Sequence, residues 1–325
     1  MIGVALEAAR QAHIDQLGPS LRREDDIGRL DITVHDRAAG RVHQGLCDLK
    51  CDVDRFAHRK RSILVDPPAN CDARAPEGER PPYVVWAHGG PASHADRTLD
   101  LQKAYFTSRG IGIIDVNYGG STGYGRSYRE RLRRQWGVVD VEDVIAAARA
   151  LVQSGEADTD RLAIRGFSAG GWTALAAVTT HARDGHLFKA AVSYSGIADL
   201  RGFAAKTHDF ESRYLDGLIG PLPGFQALYA ERSPLGHVTD DTVPVLLLQG
   251  EDDRIVLPAQ ARGIARELKA HGVRYALLEF EGESHGFRRA ETIISSKQAE
   301  LFFYGRIFGV EPADELPETP IENLA

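Results

Sequence analysis

The chain has 325 residues, enough for one large α/β domain and a small appendage, and 43% of them are hydrophobic, enough for a sizeable core. A net charge of −7 without a basic face argues against nucleic acid as a partner, and no run of eighteen apolar residues offers a membrane span. Three cysteines, Cys47, Cys51 and Cys71, lack metal-site spacing and read as reduced thiols of a cytoplasmic protein, and Met1–Glu7 meets a charge too early for a secretory leader.

The first third of the chain is weakly patterned. Residues 1–20 fit an amphipathic helix, and Leu30–Val34 alternates like a strand. A turn at Ala39-Gly40 leads to a second strand, Val42–Leu46, and a third is expected near Ser62–Val65. Pro67-Pro68 and the polar run Asp72–Pro82 form a surface loop. The organisation then sharpens. Pro82–Ala87 is an apolar strand that ends in His88-Gly89-Gly90-Pro91. Paired glycines let backbone approach a substrate and aim N–H groups inward, so Gly89 and Gly90 are candidate oxyanion donors. The His88 side chain is expected to hold that loop. The basic cluster Arg126–Arg134 reads as a solvated face, and Val139–Ser154 as a helix whose early acids suit its N-terminal dipole.

The most chemical stretch follows. Arg161–Arg165 is short, apolar and strand-like, Gly166-Phe167-Ser168-Ala169-Gly170-Gly171 comes next, and alanine-rich Trp172–Thr180 suits a helix. A serine on a strand-to-helix turn stands exposed above the sheet, because flanking glycines keep Cβ atoms out of the turn. Ser168 is therefore the candidate nucleophile, with the N–H of Ala169 as the other oxyanion donor. Its base and orienter should follow at the ends of later strands. Val243–Gly250 reads as a buried parallel strand running into Glu251-Asp252-Asp253. After a helix over Pro258–Ala270, the strand Tyr275–Phe280 opens into Glu281-Gly282-Glu283-Ser284-His285-Gly286. His285 is the candidate base. Asp253 is the candidate orienter, favoured over Asp252 by its spacing from Gly250. No metal or organic cofactor is called for. The long connection Asp199–His237 is rich in aromatic residues, of which Phe210 and Tyr214, with Tyr124 earlier, are candidate substrate contacts. Ordinary helix packing competes for these rings, and a solvated role competes for Asp209 and Glu211 as amine acceptors. The acidic, proline-bearing tail after Val310 is expected to be loosely held.

Three further stretches carry a resemblance. Asp115–Arg126 (DVNYGGSTGYGR), Trp136–Asp143 (WGVVDVED) and Thr207–Asp216 (THDFESRYLD) resemble the prolyl oligopeptidase family of serine peptidases, in its dipeptidyl-aminopeptidase/acylaminoacyl-peptidase branch. The likeness runs from about Pro67 to about Phe308. It implies an α/β-hydrolase fold with a mostly parallel central sheet flanked by helices. It also implies Ser168 as nucleophile, Asp253 as orienter and His285 as base, acting on short peptides or acylated amino acids. The domain division that follows is a short N-terminal segment at 1–66, a catalytic domain at 67–311 and an acidic tail at 312–325. Members of the family carry a β-propeller ahead of the hydrolase domain. The 66 residues before Pro67 show no repeat and are too few for blades of about forty residues each. The face that a propeller would cover invites self-association into a homo-oligomer. Two other readings stay open. One is an esterase, thioesterase or acyltransferase using the same three residues on a non-peptide substrate. The other is a non-catalytic binding protein, against which the intact residues and glycine loops speak.

Overall fold

The computed structural model describes residues 64–66, 79–96, 98–182, 187–206 and 213–323. The expected helix at 1–20, the strands Leu30–Val34 and Val42–Leu46, the three cysteines, and Asp209, Phe210 and Glu211 lie outside the described residues.

Among the described residues a seven-stranded sheet organises the fold. Its strands are β1 (Leu64–Asp66), β2 (Tyr83–Ala87), β3 (Gly112–Asn117), β4 (Leu162–Phe167), β5 (Ala190–Tyr194), β6 (Val245–Gly250) and β7 (Tyr275–Phe280). Their spatial order is β1-β3-β2-β4-β5-β6-β7, with β1 antiparallel to β3 and every other pairing parallel. The strand expected at Ser62–Val65 thus falls at Leu64–Asp66 and its backbone joins the sheet. Between the strands run α1 (Leu101–Thr107), α2 (Arg126–Arg129), α3 (Val139–Ser154), α4 (Ala169–Val178), α5 (Leu200–Lys206), α6 (Tyr214–Leu218), α7 (Gln226–Arg232) and α8 (Ala259–Ala270), and α9 (Ala290–Phe308) follows β7. The chain is an α/β-hydrolase fold, a mostly parallel sheet flanked by helices.

The apolar runs explain the layering. Successive strand residues face opposite sides, so a strand covered on both faces must be apolar throughout. Val85, Ile114, Ile164, Ala191 and Leu247 pack with residues of α3, α4 and α8. Their neighbours Val84, Ile113, Ala163, Val192 and Leu246 pack on the other face with Phe106 of α1 and with Leu301, Phe303 and Tyr304 of α9. The early acids of α3 do more than offset its dipole. Asp140 accepts from the Gly137 N–H and the Thr173 hydroxyl, each at 2.7 Å, which ties α3 to α4. Burial pushes that carboxyl up to about 6 despite those two donors.

The tail departs from expectation. Glu322 exchanges backbone hydrogen bonds with Tyr275 at the start of β7, at 2.7 and 3.2 Å. Asn323 donates to the Val273 carbonyl at 2.8 Å, and Arg109 holds both oxygens of Asp314 at 2.7 and 2.8 Å. Composition marked this segment as loose. The partners that fix it are more than forty residues away in sequence, where no local pattern reveals them.

Candidate active site

Parallel strands deliver their following loops to one edge of the sheet, and strand order decides which loops meet. β2 lies beside β4, so the His88–Pro91 loop meets the turn at Ser168. β6 lies beside β7, so the loops carrying Asp253 and His285 meet each other. β5 alone separates the two pairs.

The turn between β4 and α4 is strained. Ser168 has φ 56° and ψ −120°, its N–H donates to the Tyr194 carbonyl at 2.9 Å, and its own carbonyl receives the Trp172 N–H at 3.0 Å. The glycines around it are a steric requirement. A Cβ on Gly166 would overlap the Gly170 carbonyl, and one on Gly170 would overlap the Ala87 carbonyl. Only bare backbone lets β4, α4 and the end of β2 approach so closely.

Ser168 Oγ stands 3.0 Å from His285 Nε2, and His285 Nδ1 stands 2.8 Å from Asp253 Oδ2. With Nδ1–H donating to the carboxylate, Nε2 is free to accept from the serine hydroxyl. Asp253 is 1% exposed and nearly saturated with donors. Oδ1 accepts the Ile255 and Val256 N–H groups at 2.9 Å, and Oδ2 also accepts Gln249 Nε2 at 3.2 Å. Burial opposes the charge, yet the His285 hydrogen bond and the two backbone donors outweigh it and hold the carboxyl below its ordinary range. Asp252 is exposed.

Gly89 packs against the serine. A Cβ there would lie 3.0 Å from the Phe167 carbonyl and 3.5 Å from Ser168 Cβ. Gly90, at φ 122°, makes the turn that follows. Ala169 opens α4, where a helix's first N–H groups have no partner within the helix. His88 braces the loop as expected: Nδ1 donates to the Gly89 carbonyl at 2.8 Å, Nε2 pairs with the Ser121 hydroxyl at 2.7 Å, and the ring stacks on Tyr118 at 4.1 Å. Burial lowers its pKa to about 4, so the imidazole is neutral at neutral pH. Among the described residues no group of His, Cys, Asp and Glu side chains is arranged to hold a metal, and no helix is long and apolar enough to cross a membrane.

The structure thus brings Ser168, Asp253 and His285 into one hydrogen-bonded line, with Gly89 and Ala169 beside the serine. The substrate-contact candidates fare differently. Tyr124 stacks edge-on against Tyr128 at 5.3 Å, and Tyr214, 38% exposed, opens α6. In the same connection Phe203 and Tyr229 are core residues, as the packing alternative held.

A model of the prolyl oligopeptidase family matches residues 97–311. The chain belongs to that family. Its likeness to solved structures includes a Mycobacterium tuberculosis puromycin-hydrolyzing peptidase, 62% identical with a TM-score of 0.74 over 79% of this chain and 38% of that one. Curated relatives include acylamino-acid-releasing enzyme 1 of Oryza sativa subsp. japonica, 26% identical over 74% of this chain and 34% of that protein. Another is dipeptidyl aminopeptidase BIII of Pseudoxanthomonas mexicana, 28% identical over 65% of this chain and 31% of that protein. The chain therefore spans about a third of the length of the curated relatives it matches.

Two residues of this prolyl oligopeptidase family member support the site and were not singled out from sequence. Gln249 bridges Asp253 to the Val256 carbonyl at 3.1 Å. Glu283, 2% exposed, accepts the Arg288 and Arg289 N–H groups at 2.9 Å and so closes the loop that carries His285. An acid two residues before the histidine was the available signal, but a loop acid is ordinarily solvated.

Proposed function

We propose that this chain is a serine hydrolase that cleaves peptide or amide bonds of short peptides or acylated amino acids through an acyl-enzyme. The observation that carries this reading is the unbroken line from Ser168 Oγ through His285 to Asp253. In the first step the Oγ–carbonyl bond forms while the hydroxyl proton moves to His285 Nε2. Asp253 fixes the imidazole tautomer and offsets its charge. The tetrahedral oxygen is held by the N–H groups of Ala169 and Gly89, with Gly90 shaping the loop; such donors are worth about 3 kcal/mol each. Collapse breaks the C–N bond and the departing amine takes the proton from Nε2. Water then repeats the sequence and frees the acid, with no metal or organic cofactor in any step. Tyr124, Phe210 and Tyr214 remain the proposed substrate contacts. The cysteine usage supports a cytoplasmic site of action, and a homo-oligomer remains part of the proposal.

The test is labelling with a fluorophosphonate, which phosphonylates activated serines with loss of fluoride. Wild-type protein should label and Ser168→Ala should not; a folded wild-type protein that resists labelling would overturn the reading. Turnover of aminoacyl-anilides against short-chain esters then separates a peptidase from an esterase. The relative from M. tuberculosis makes puromycin the first compound to try.

A further inference from the structure

A cavity of about 610 Å³ opens beside the serine, between the carboxyl edge of the sheet, residues 94–96 and 98–103, and the first turns of α9. Gly166 and Phe167, next to Ser168, Gly286, next to His285, and His88, next to Gly89, all line it. The Phe167 ring lies 4.8 Å from the His285 ring, so the cavity and the catalytic line share a wall.

The two ends of this cavity differ in chemistry. The mouth carries Leu99, Leu101 and Ile293, which are 68%, 76% and 39% exposed. Three cations, Lys103, Arg165 and Lys297, line the floor, and each is a buried residue. Buried cations require partners, and only two buried carboxylates, Asp115 and Glu300, face these three among the described residues. Asp115 pairs with Lys103. Glu300 is divided among Arg165 at 3.0 Å, Lys297 at 3.7 Å, and the hydroxyls of Tyr194 and Tyr304. The Arg165 contact is off-axis, an ion pair in which Nε lacks a hydrogen-bond acceptor. At the mouth, Asp100 accepts the Gln102 N–H at 2.8 Å and its charge also acts on Lys297, and Asp96 pairs with His94 at 3.1 Å. Lys297 Nζ donates to the Tyr194 hydroxyl at 2.8 Å, and burial, then Arg165, push its pKa down to about 7 against the pull of Glu300 and Asp100. The wall also holds Ser195, 1% exposed at φ 45°, whose hydroxyl has no partner among the described residues, and the equally unpartnered Trp86 Nε1. Trp136 Nε1, Trp172 Nε1 and Gln249 Oε1 are likewise unpartnered, but of the unpartnered atoms those of Trp86, Arg165 and Ser195 are gathered around one cavity.

We propose that this recess binds a carboxylate borne on an apolar group, with the carboxylate on the Lys297 floor, Ser195 as a further donor, and the apolar part against Leu101 and Ile293. Such a carboxylate belongs either to the substrate itself, as a peptide's terminal carboxylate, or to a separate small acid.

Calorimetry on full-length Ser168→Ala protein, which removes turnover, tests this with 3-phenylpropionate and its uncharged amide. The acid should bind at least about tenfold more tightly than the amide, the value of a hydrogen-bonded charge. Lys297→Met should lose at least about tenfold in affinity for the acid. Equal binding of acid and amide, no binding of the acid, or unchanged affinity in Lys297→Met would each overturn the proposal. If Lys297→Met loses its circular-dichroism signature, Ser195→Gly, which suits the positive φ, serves in its place. In wild-type protein, competitive inhibition of a neutral aminoacyl-anilide by the acid assigns the carboxylate to the substrate, and non-competitive inhibition to a separate ligand. That last arm alone rests on the hydrolase reading. Binding of the acid without fluorophosphonate labelling would remove the hydrolase and leave the recess, and the converse would do the opposite.

Discussion

Asp252 and Asp253 are identical in chemistry and differ by one position, yet only one is buried against four donors. Asp253→Asn should lower kcat by about 10³–10⁴-fold, because the amide favours the wrong imidazole tautomer. Asp252→Asn should leave kcat within about twofold, the usual effect of a surface change. Steady-state kinetics on a common substrate decides between them, and equal losses would reassign the orienter. Because the Asp253 carboxyl is held low in the folded state, its stabilising contribution is present above the unfolded carboxylate range and disappears as pH falls through the folded value. His88 has the opposite history. Its folded pKa of about 4 lies below the unfolded 6.5, so the unfolded chain binds the extra proton in between and stability falls as pH drops across that window. His88 is half-buried, which reduces the expected loss to about 2 kcal/mol. Urea titrations of His88→Gln at pH 7.5 and pH 4.5 should show a smaller acid loss than wild type, and an identical loss would show that the ring is solvated. In the bare sequence, spacing from Gly250 pointed to Asp253 and the glycine motif to Ser168, and the two side chains meet at opposite edges of the His285 ring. The burial that silences His88 was not readable, because it arises from Tyr118 and Ser121, some thirty residues away.

At the level of elements, the turn before α4 is the least tolerant feature. Gly170→Ala would drive a methyl into the Ala87 carbonyl, a backbone atom that cannot rotate aside. Overpacking of this kind costs about 1–3 kcal/mol or more, and here it would also part the His88–Pro91 loop from the serine. The expected result is a lower thermal midpoint together with lost fluorophosphonate labelling; a stable, fully labelled variant would show that the turn relaxes. The strands of the second half were clear from apolar runs because a sheet covered on both faces leaves no polar alternative. The start of α4 was less so: the motif suggested a helix from Trp172, but it begins at Ala169, immediately after the serine. The closeness of Gly250 to the Glu283 and Ser284 carbonyls, about 2.5 Å from a notional Cβ, joins the acid-bearing and histidine-bearing loops and left no trace in local pattern.

Over the whole molecule, the only strand beside β7 among the described residues is β6, and the bridge to Glu322 covers the start of its other side. Unpaired strand edges recruit other chains. Removing residues 312–325 should therefore lower the thermal midpoint and raise light scattering on heating, and a truncated protein indistinguishable from the full chain would show that the tail's contacts carry no weight. Composition misjudged this segment because proline and acid content describe what a segment does alone, whereas Arg109, Val273 and Tyr275 decide what it does in place. The sheet order carries a wider consequence through Phe167. One side of its ring meets the imidazole and its residue borders the neighbouring chamber. A guest that displaced that ring would also disturb the imidazole packed against it, because the recess and the proposed proton carrier stand a single aromatic plate apart.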